Sequence, residues 1–395
     1  MLTELERSWS TALTAQLPDA AVLRRQLHAD PRVSGDEADT LATVARALGV
    51  DLEPVAQHGG VGRVGPSAGP SIAVRGELDA LPLQEATGVE FASTNGSMHA
   101  CGHDVHLAAL VALVRAADNV ELPYGLVPML QPREETYPSG AKEIAESGLL
   151  RRFGVGHAVG AHVHPAVPAG AVAIGEGFVN AAAGEIEIVL TGRGGHGAYP
   201  HQGADVAVAV SQVVTGLSEV VRRTADPMDP TMISVGTIHV GSGAANVLPG
   251  EGRVLCTVRT VSDAEGTRLA TAVGHYADGI AAAFGCQART EYTRGEPSLI
   301  NDARLARASH GWVQQVGLKV APPMRSLGAD DFSYYGEAVP TLMCFVGVDA
   351  DPGVGLHHPR FLPDQVSIAR VAKAMMAGYL GAAQTIQDQA REEPL

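Results

Sequence analysis

Apolar residues near the start of the chain recur at spacings of three and four, the period of an amphipathic helix. Leu23 and Leu27 show this spacing, and so do Val44 and Leu48 farther along. Gly49 follows directly and suits the left-handed residue that ends many helices. The pattern therefore predicts that the opening stretch is helical, up to a turn rich in Gly and Pro.

Short, continuous apolar runs then alternate with helical segments, and each run leads towards polar side chains. The runs are Ser71–Val74, Leu126–Leu130, Ala158–Ala161 and Leu342–Val348. Such runs are typical of buried strands in a mostly parallel sheet, which indicates an α/β fold. Because ligand crevices in open α/β sheets lie beyond the carboxyl ends of the strands, we expect one site at that edge.

Two helices are predicted near these strands by the same spacing rule. Val105–Ala117 places Leu107 and Val114 on one face, and Asp104 is expected to cap its N-terminus. A shorter helix is expected at Ser139–Ser147.

The pattern changes between residues 175 and 286, where strands and a helix follow one another as in an α+β domain. The predicted elements are an alternating strand, a helix and two further strands: Glu185–Leu190, Val206–Arg222, Met232–Val240 and Arg253–Thr260. The sequence thus predicts a discontinuous domain of residues 1–174 and 287–395, interrupted by an inserted α+β domain of residues 175–286.

Charge and cysteine usage exclude several classes of protein. The 395 residues include 28 Lys and Arg against 43 Asp and Glu, a net charge of −15, which disfavours nucleic acid and anionic membranes as partners. The four cysteines are scattered without the spacing of a disulfide framework. The N-terminus lacks the basic start and apolar stretch of a signal peptide, so we expect a cytoplasmic protein.

The strongest chemical signal is a run of metal-binding residue types at the start of the Val105–Ala117 helix. His99, Cys101, His103, Asp104 and His106 fall within eight residues. Thiolate sulfur and imidazole nitrogen are favoured ligands of first-row metals. The alternative is a surface helix start rich in capping groups, but the density of ligands favours a metal site.

Further ligand types follow the predicted strands. Glu134 and Glu135 come after Leu126–Leu130, where one carboxylate is able to bind metal while the other carries a proton. His162 and His357 follow the next two strands in the same way. Each signal is ambiguous alone, because Glu-Glu is often a solvated pair and a histidine often only bonds a carbonyl, but together they suffice for two divalent cations sharing a water.

Two glycine-rich segments have different meanings. Gly192–His201 lies in the predicted insertion, and its glycines are expected to leave His196 presented at the surface, although a plain hairpin is the alternative. Gly60–Gly65 matches GxGxxG, but Pro66 and Pro70 forbid the helix that a dinucleotide site needs. The chain has neither a phosphate-binding loop nor a GxSxG nucleophile elbow.

These motifs resemble the M20 metallopeptidases, in particular the branch of aminoacylases, hippurate hydrolases and auxin-conjugate amidohydrolases. The resemblance spans most of the chain, from Glu77–Pro82 to His357–Phe361, and Met98–Asp104 is its most specific element. It implies a mostly parallel-sheet metallopeptidase domain with an inserted lid and dimerisation domain. It also implies a binuclear centre with five ligands: Cys101, His103, Glu135, His162 and His357.

The resemblance assigns further roles to single residues. Glu134 corresponds to the general base and acid, and Asp79 to an acidic residue that orients the site. His196 matches a lid histidine offered to the partner subunit's active site, which implies a homodimer, and Asn246 matches a substrate-binding residue of the lid.

The sequence departs from the family pattern at Gly76-Glu77, where relatives commonly have Ala-Asp, and at Asp330, where they usually have Glu. We expect these changes to affect the shape of the pocket more than the metals, and they leave the roles of Asp330 and Asp331 open.

The predicted function is metal-dependent hydrolysis of the amide bond of an N-acyl amino acid or a related small amide. Zinc is favoured because of the thiolate, while manganese, cobalt and nickel suit the same ligand set. A dipeptidase or carboxypeptidase of the same family is an alternative. A metal-dependent binding protein without catalysis is another, although an intact Glu134 argues against it.

Overall fold

A computed structural model describes residues 1–349, 351 and 353–392. The chain divides into two compact units. The first contains residues 1–179, 300–324 and 331–395, and the second contains residues 180–299 and 325–330. Within the described part of the chain, no helix combines the length and apolar character needed to cross a membrane.

The described residues form the following regular elements. The α-helices are α1 (Leu2–Ala29), α2 (Ala38–Leu48), α3 (His103–Ala117), α4 (Gly140–Glu146), α5 (Leu149–Arg152), α6 (Val206–Thr224), α7 (Asp263–Ala283), α8 (Ala303–Gln315) and α9 (Val366–Glu392). The β-strands are β1 (Glu53–Val55), β2 (Gly59–Val61), β3 (Ser71–Glu77), β4 (Gly125–Gln131), β5 (Val155–His164), β6 (Ala171–Ala173), β7 (Gly177–Asn180), β8 (Ala182–Gly192), β9 (Gly195–His196), β10 (Met232–Val240), β11 (Val247–Leu248), β12 (Glu251–Thr260), β13 (Cys286–Arg294), β14 (Leu299–Asn301), β15 (Lys319–Ala321) and β16 (Thr341–Gly347). Two 3₁₀ segments occupy Pro200–Gln202 and Asp331–Glu337.

The first unit is built on a mixed sheet with strand order β1-β2-β4-β3-β5-β16-β6-β15. Its centre is parallel, because β3 pairs in parallel with β4 and β5, and β5 pairs in parallel with β16. Every residue of β3, β4 and β16 is buried. This confirms the predicted mostly parallel α/β sheet, and the four predicted strands end at the same edge.

Three long helices form a layer on this sheet. Helix α3 is buried along nearly its whole length, and α1 and α9 pack against it. Trp9 of α1 donates its indole N–H to the carbonyl of Leu113 at 3.1 Å and meets the ring of Tyr379 edge-on at 5.1 Å. The predicted cap of α2 is confirmed, because Gly49 is left-handed with φ 67°. The helix expected at Ser139–Ser147 is α4, and Ser139 caps it by accepting the N–H of Lys142.

The predicted cap of α3 is wrong. The helix begins at His103, its N-cap is the left-handed Gly102, and Asp104 makes no capping bond. A Cβ on Gly102 would lie 2.4 Å from Val163, so glycine lets the start of the helix approach β5 closely. Asp104 is instead a buried acceptor for α1.

The second unit contains an antiparallel sheet with strand order β10-β12-β8-β13. Ile186, Ile188 and Leu190 alternate inward along β8 and pack with buried residues of α6 and α7. The predicted insertion of residues 175–286 stops at the first residue of β13, although β13 pairs with β8 along its length. The compact unit therefore extends to Leu299.

His28 joins α1 to two buried carboxylates. Its Nδ1 lies 2.9 Å from Asp104 Oδ2, and its Nε2 lies 3.1 Å from Glu85 Oε1. Burial alone would lower the pKa of His28, but Asp104 and then Glu85 outweigh burial and raise the pKa to about 9. Arg24 donates a further bond to Asp104 at 3.0 Å. His28 is therefore an imidazolium between two anions at neutral pH.

We expect a His28→Gln variant to be less stable than the wild type at mildly acidic pH, by an amount that shrinks in alkali. The folded pKa of about 9 lies above the unfolded value of 6.5, so the charged form stabilises the fold fully below pH 6.5. This stabilisation is lost as the pH rises through 9. The difference between the folded and unfolded pKa values of His28 corresponds to about 3 kcal/mol in the free energy of unfolding.

Denaturant unfolding of both proteins across this pH range measures the difference. His310, which is exposed on α8, provides the matched control His310→Gln, which we expect to unfold like the wild type at each pH. A stability loss in His28→Gln that stays constant across the range would contradict the assigned charge.

Candidate metal centre

The carboxyl ends of the central strands bring the predicted site residues together. Asp79 follows β3, the pair Glu134-Glu135 follows β4, and His162 lies near the end of β5. His357 lies beyond β16, and His103 begins α3. Because the four strands are parallel, segments far apart in sequence converge at one edge of the sheet.

The five predicted ligands lie within reach of one another. Donor atoms of Cys101, Glu135 and His357 lie within 4.8 Å of one another, and so do those of His103, Glu134 and Glu135. Cys101 Sγ is 3.4 Å from His162 Nε2, which joins the fifth residue to the cluster. His357 Nε2 is 3.2 Å from Glu135 Oε1.

Hydrogen bonds set the orientation of two imidazole rings in this cluster. His103 Nδ1 donates to the carbonyl of Asp79 at 2.8 Å, and His162 Nδ1 donates to the carbonyl of Val163 at 2.7 Å. In this tautomer the Nε2 atom of each ring keeps its lone pair. Backbone acceptors of this kind commonly fix metal-binding histidines in proteins.

The donor set fits divalent first-row cations. His103 Nε2 is buried and makes no hydrogen bond, and Glu134 Oε2 lies 3.8 Å from it. Burial, followed by Glu135 and Glu134, raises the pKa of Cys101 well above its usual value. A cation would accept the lone pair of His103 and stabilise the thiolate of Cys101 next to these carboxylates.

Asp79 positions this cluster through three segments. Its Oδ2 accepts bonds from Ser34 Oγ at 2.7 Å and from the N–H of Glu135 at 3.0 Å. Its carbonyl accepts from His103. Asp79 thus holds the backbone of one predicted ligand and the ring of another, which is the kind of orienting role that the resemblance implies.

The glutamate pair does not extend β4, so the alternation of side chains along a strand does not set the directions of Glu134 and Glu135. The strand ends at Gln131, and Arg133 has a left-handed φ of 50°. Glu37, which sequence reasoning missed, accepts the N–H of Arg133 at 2.9 Å. This bend directs Glu134 towards His103 and Glu135 towards His357.

His357 has a strained backbone. Its φ of 62° is left-handed, which costs a residue with a side chain of order 1–3 kcal/mol. Its N–H donates to the carbonyl of Ala100 at 2.9 Å, next to Cys101. The loop is therefore held against the segment that contains the thiol.

The expected effect of Glu77 on pocket shape is wrong. Glu77 is 2% exposed, and one of its carboxylate oxygens lies within 4.8 Å of donor atoms of His103 and His162. Arg75 Nη1 is 2.8 Å from one carboxylate oxygen of Glu77, and His106 Nδ1 is 3.2 Å from the other. The sequence placed His106 in the run of metal-binding residue types but gave it no role, because its partners come from distant strands.

Asp331 links the end of β4 to the start of α4. Its carboxylate accepts both Gln131 Nε2, at 2.8 and 2.9 Å, and Ser139 Oγ, at 2.7 Å. Tyr335 donates to Gln131 Oε1 at 3.0 Å. These bonds support the strand that precedes the glutamate pair. Asp330 belongs to the second unit.

His196 and Asn246 lie in the second unit, where they face solvent. His196 of β9 pairs with Val247 of β11, and the N–H of Gly197 donates to the carbonyl of Asn246, just before β11, at 2.8 Å. His196 Nδ1 accepts the N–H of Ala198 at 3.0 Å. Its Nε2 therefore bears the proton in the neutral ring. The side chain is exposed, as the glycine-rich pattern predicts, so this donor is available at the surface.

Comparison with known proteins places this fold and site in a family. Residues 73–380 match the model of peptidase family M20/M25/M40. The chain therefore belongs to this peptidase family, which confirms the resemblance seen in the sequence motifs.

Individual relatives agree over most of their length. An N-acetyl-L-cysteine deacetylase of Bacillus subtilis is 33% identical over 94% of this chain and 90% of its own. An N-acetyldiaminopimelate deacetylase of Bacillus cytotoxicus is 35% identical over 76% of this chain and 79% of its own. The structure of a dinuclear metal-binding M20 peptidase from Bacillus subtilis aligns with a TM-score of 0.82 and 28% identity, covering 94% of this chain and 99% of that chain.

Proposed function

We propose that this protein hydrolyses the amide bond of N-acyl amino acids with the help of two divalent metal ions. The observation that supports this most directly is the convergence of five donor side chains with a further carboxylate, Glu134, beside them. The deacetylase relatives act on substrates of this chemical class.

The metal ions would be held by the five converging residues: Cys101, His103, Glu135, His162 and His357. When bound, such ions polarise a carbonyl and bring the pKa of coordinated water down to about 7. Zinc suits the thiolate, and manganese, cobalt and nickel suit the other ligands. Metal analysis of protein purified without added salts identifies the ion.

Glu134 is the group proposed to move protons. Its Oε2 lies 3.8 Å from His103 Nε2, and its side chain is 11% exposed, so it lies beside the centre and remains accessible. Glu134 accepts a proton from the attacking water. It then delivers this proton to the amide nitrogen, because an unprotonated amine is a poor leaving group.

His196 is proposed to stabilise the oxygen of the scissile carbonyl. The bond from Ala198 leaves the proton on Nε2, so the neutral ring donates a hydrogen bond without needing to be protonated. A donor of this kind contributes about 3–4 kcal/mol to the transition state. Asn246, which precedes the residue that pairs with His196, is proposed to contact the substrate.

We further propose that the first compact unit, predicted from the sequence as residues 1–174 and 287–395, is the catalytic domain of a homodimer. The second unit, predicted as residues 175–286 and found to contain residues 180–299 and 325–330, is proposed as its lid and dimerisation domain. The edge strand β10 supports this, because one of its sides is unpaired and Ile238 is 50% exposed. A cytoplasmic location fits the cysteines, which are buried free thiols.

A substrate panel tests the proposed reaction. We expect N-acetyl, N-benzoyl or long-chain acyl amino acids to release free amine faster than dipeptides, and a chelator to abolish this release. Restored activity after addition of a single divalent metal shows that the loss is due to metal. Faster turnover of dipeptides would favour the peptidase alternative, and no turnover with two metals bound would favour a binding protein.

The Glu134→Gln variant tests the proton carrier. We expect its kcat to fall at least about 100-fold, because the side-chain amide of glutamine cannot accept the proton of the attacking water. The variant should retain its bound metal. Steady-state kinetics and elemental analysis of the same preparation measure the two properties. A variant that keeps a near wild-type rate would refute the assigned role.

Mixing two inactive variants tests whether His196 acts on the partner subunit. After random subunit exchange between equal amounts of His196→Ala and Glu134→Gln, about a quarter of all sites should be active. Half of the dimers are then mixed, and one of the two sites in each mixed dimer is intact. His201→Ala, an exposed neighbour of His196, is the control and should be active unmixed. Mixed dimers that form without regaining activity would assign His196 to its own subunit.

A further inference from the structure

A second cluster of potential ligands lies beneath the predicted metal centre. Glu77, His103, His106 and His162 are all buried, and each offers a donor atom within 4.8 Å of the others. Two of these residues, His103 and His162, are already predicted ligands. The remaining pair, Glu77 and His106, has no role in the proposed reaction.

Hydrogen bonds argue against a metal at His106. Its Nδ1 lies 3.2 Å from Glu77 Oε2, and its Nε2 accepts the N–H of Val163 at 3.0 Å. The backbone donor requires a lone pair on Nε2, so the proton of the neutral ring is on Nδ1, where it is donated to Glu77. Both nitrogens are therefore used within the protein.

The same bonds place His106 where it controls a ligand. The N–H of Val163 is held by His106, while the carbonyl of Val163 accepts the Nδ1 proton of His162. The ring of His106 also packs against both predicted ligand rings, with centroids 4.6 Å from His162 and 5.6 Å from His103. A shift of His106 would thus move both the backbone and the ring of His162.

Glu77 holds His106 in this state. Burial alone would raise the pKa of Glu77, but Arg75 and then His106 keep it well below its usual range. Arg75 is itself fixed over the ring of Phe332, at 5.1 Å from the centroid. A Cβ on Gly76 would lie 3.0 Å from Leu110, so glycine allows α3, with His106, to approach the strand closely.

We propose that Glu77 and His106 form a positioning pair that orients His162 for metal binding, and that they are not themselves metal ligands. This proposal rests on the proposed function, because it takes His162 to be a ligand. Positioning groups of this kind typically change metal affinity by 10- to 100-fold.

Titration of metal-depleted protein with Zn²⁺ or Co²⁺ against a chromophoric chelator tests the pair. We expect the wild type to bind two ions, and Glu77→Gln and His106→Phe to bind one of them about 10- to 100-fold more weakly. The absorption spectrum of the Co²⁺ form should change in both variants, because it reports the geometry of the ligands. The unfolding temperature of the metal-free proteins separates this effect from loss of fold.

His157 provides a matched control, because it lies on the same strand as His162, is 3% exposed and makes no hydrogen bond through its ring. His157→Phe should bind both ions with wild-type affinity. The proposal would be overturned if Glu77→Gln and His106→Phe had the metal affinity and spectra of the wild type. It would also be overturned if the wild type bound three ions and His106→Phe bound two, because His106 would then be a ligand. A wild type that binds no ion would instead refute the proposed function.

Discussion

Asp79 joins three segments on which the candidate centre depends. Its carboxylate accepts Ser34 and the N–H of Glu135, and its carbonyl orients His103. The parallel sheet makes this possible, because β3 ends next to β4 and faces the first turn of α3. A single residue thereby fixes one carboxylate ligand and one imidazole ligand relative to each other. Such preorganisation matters, because a side chain free to rotate would lose conformational entropy on binding each ion.

Buried charge surrounds the centre in paired form. His28 neutralises Asp104, and Arg75 neutralises Glu77, which also accepts a hydrogen bond from His106. Removing one partner of such a pair is costly, whereas the intact pair contributes little net stability, so these networks are better understood as devices that hold geometry. They lie on the two sides of α3, the helix whose first residue is a predicted ligand. The carboxylates at the centre itself leave negative charge that a divalent cation would balance.

Backbone hydrogen bonds give the histidines of this protein different chemistry. In His103 and His162 a carbonyl accepts the Nδ1 proton and leaves a lone pair on Nε2, which suits metal binding. In His196 a backbone N–H donates to Nδ1 and leaves a proton on Nε2, which suits stabilisation of an oxyanion. His106 uses both nitrogens inside the protein and is left with neither property. The same side chain is thus suited to three proposed roles, which its hydrogen-bond partners determine.

Local sequence was enough to predict the buried parallel strands, the α+β character of the second unit and the residues that converge at the strand ends. These features follow from short-range signals: the period of the hydrophobic residues, the placement of glycines and the residue types that bind metals. Local sequence failed where long-range contacts decide the structure. Asp104 was expected to cap a helix but accepts bonds from α1, and the chain bends at Arg133 instead of continuing the strand. Glu77 was expected to shape the pocket but is buried beside His103, His106 and His162. The tautomer of each histidine also depends on acceptors that belong to distant segments. These contacts between distant segments exist only once the strands have paired. The tertiary structure alone therefore determined which side chains keep a free donor atom, which hold a neighbour in place and which neutralise a buried charge.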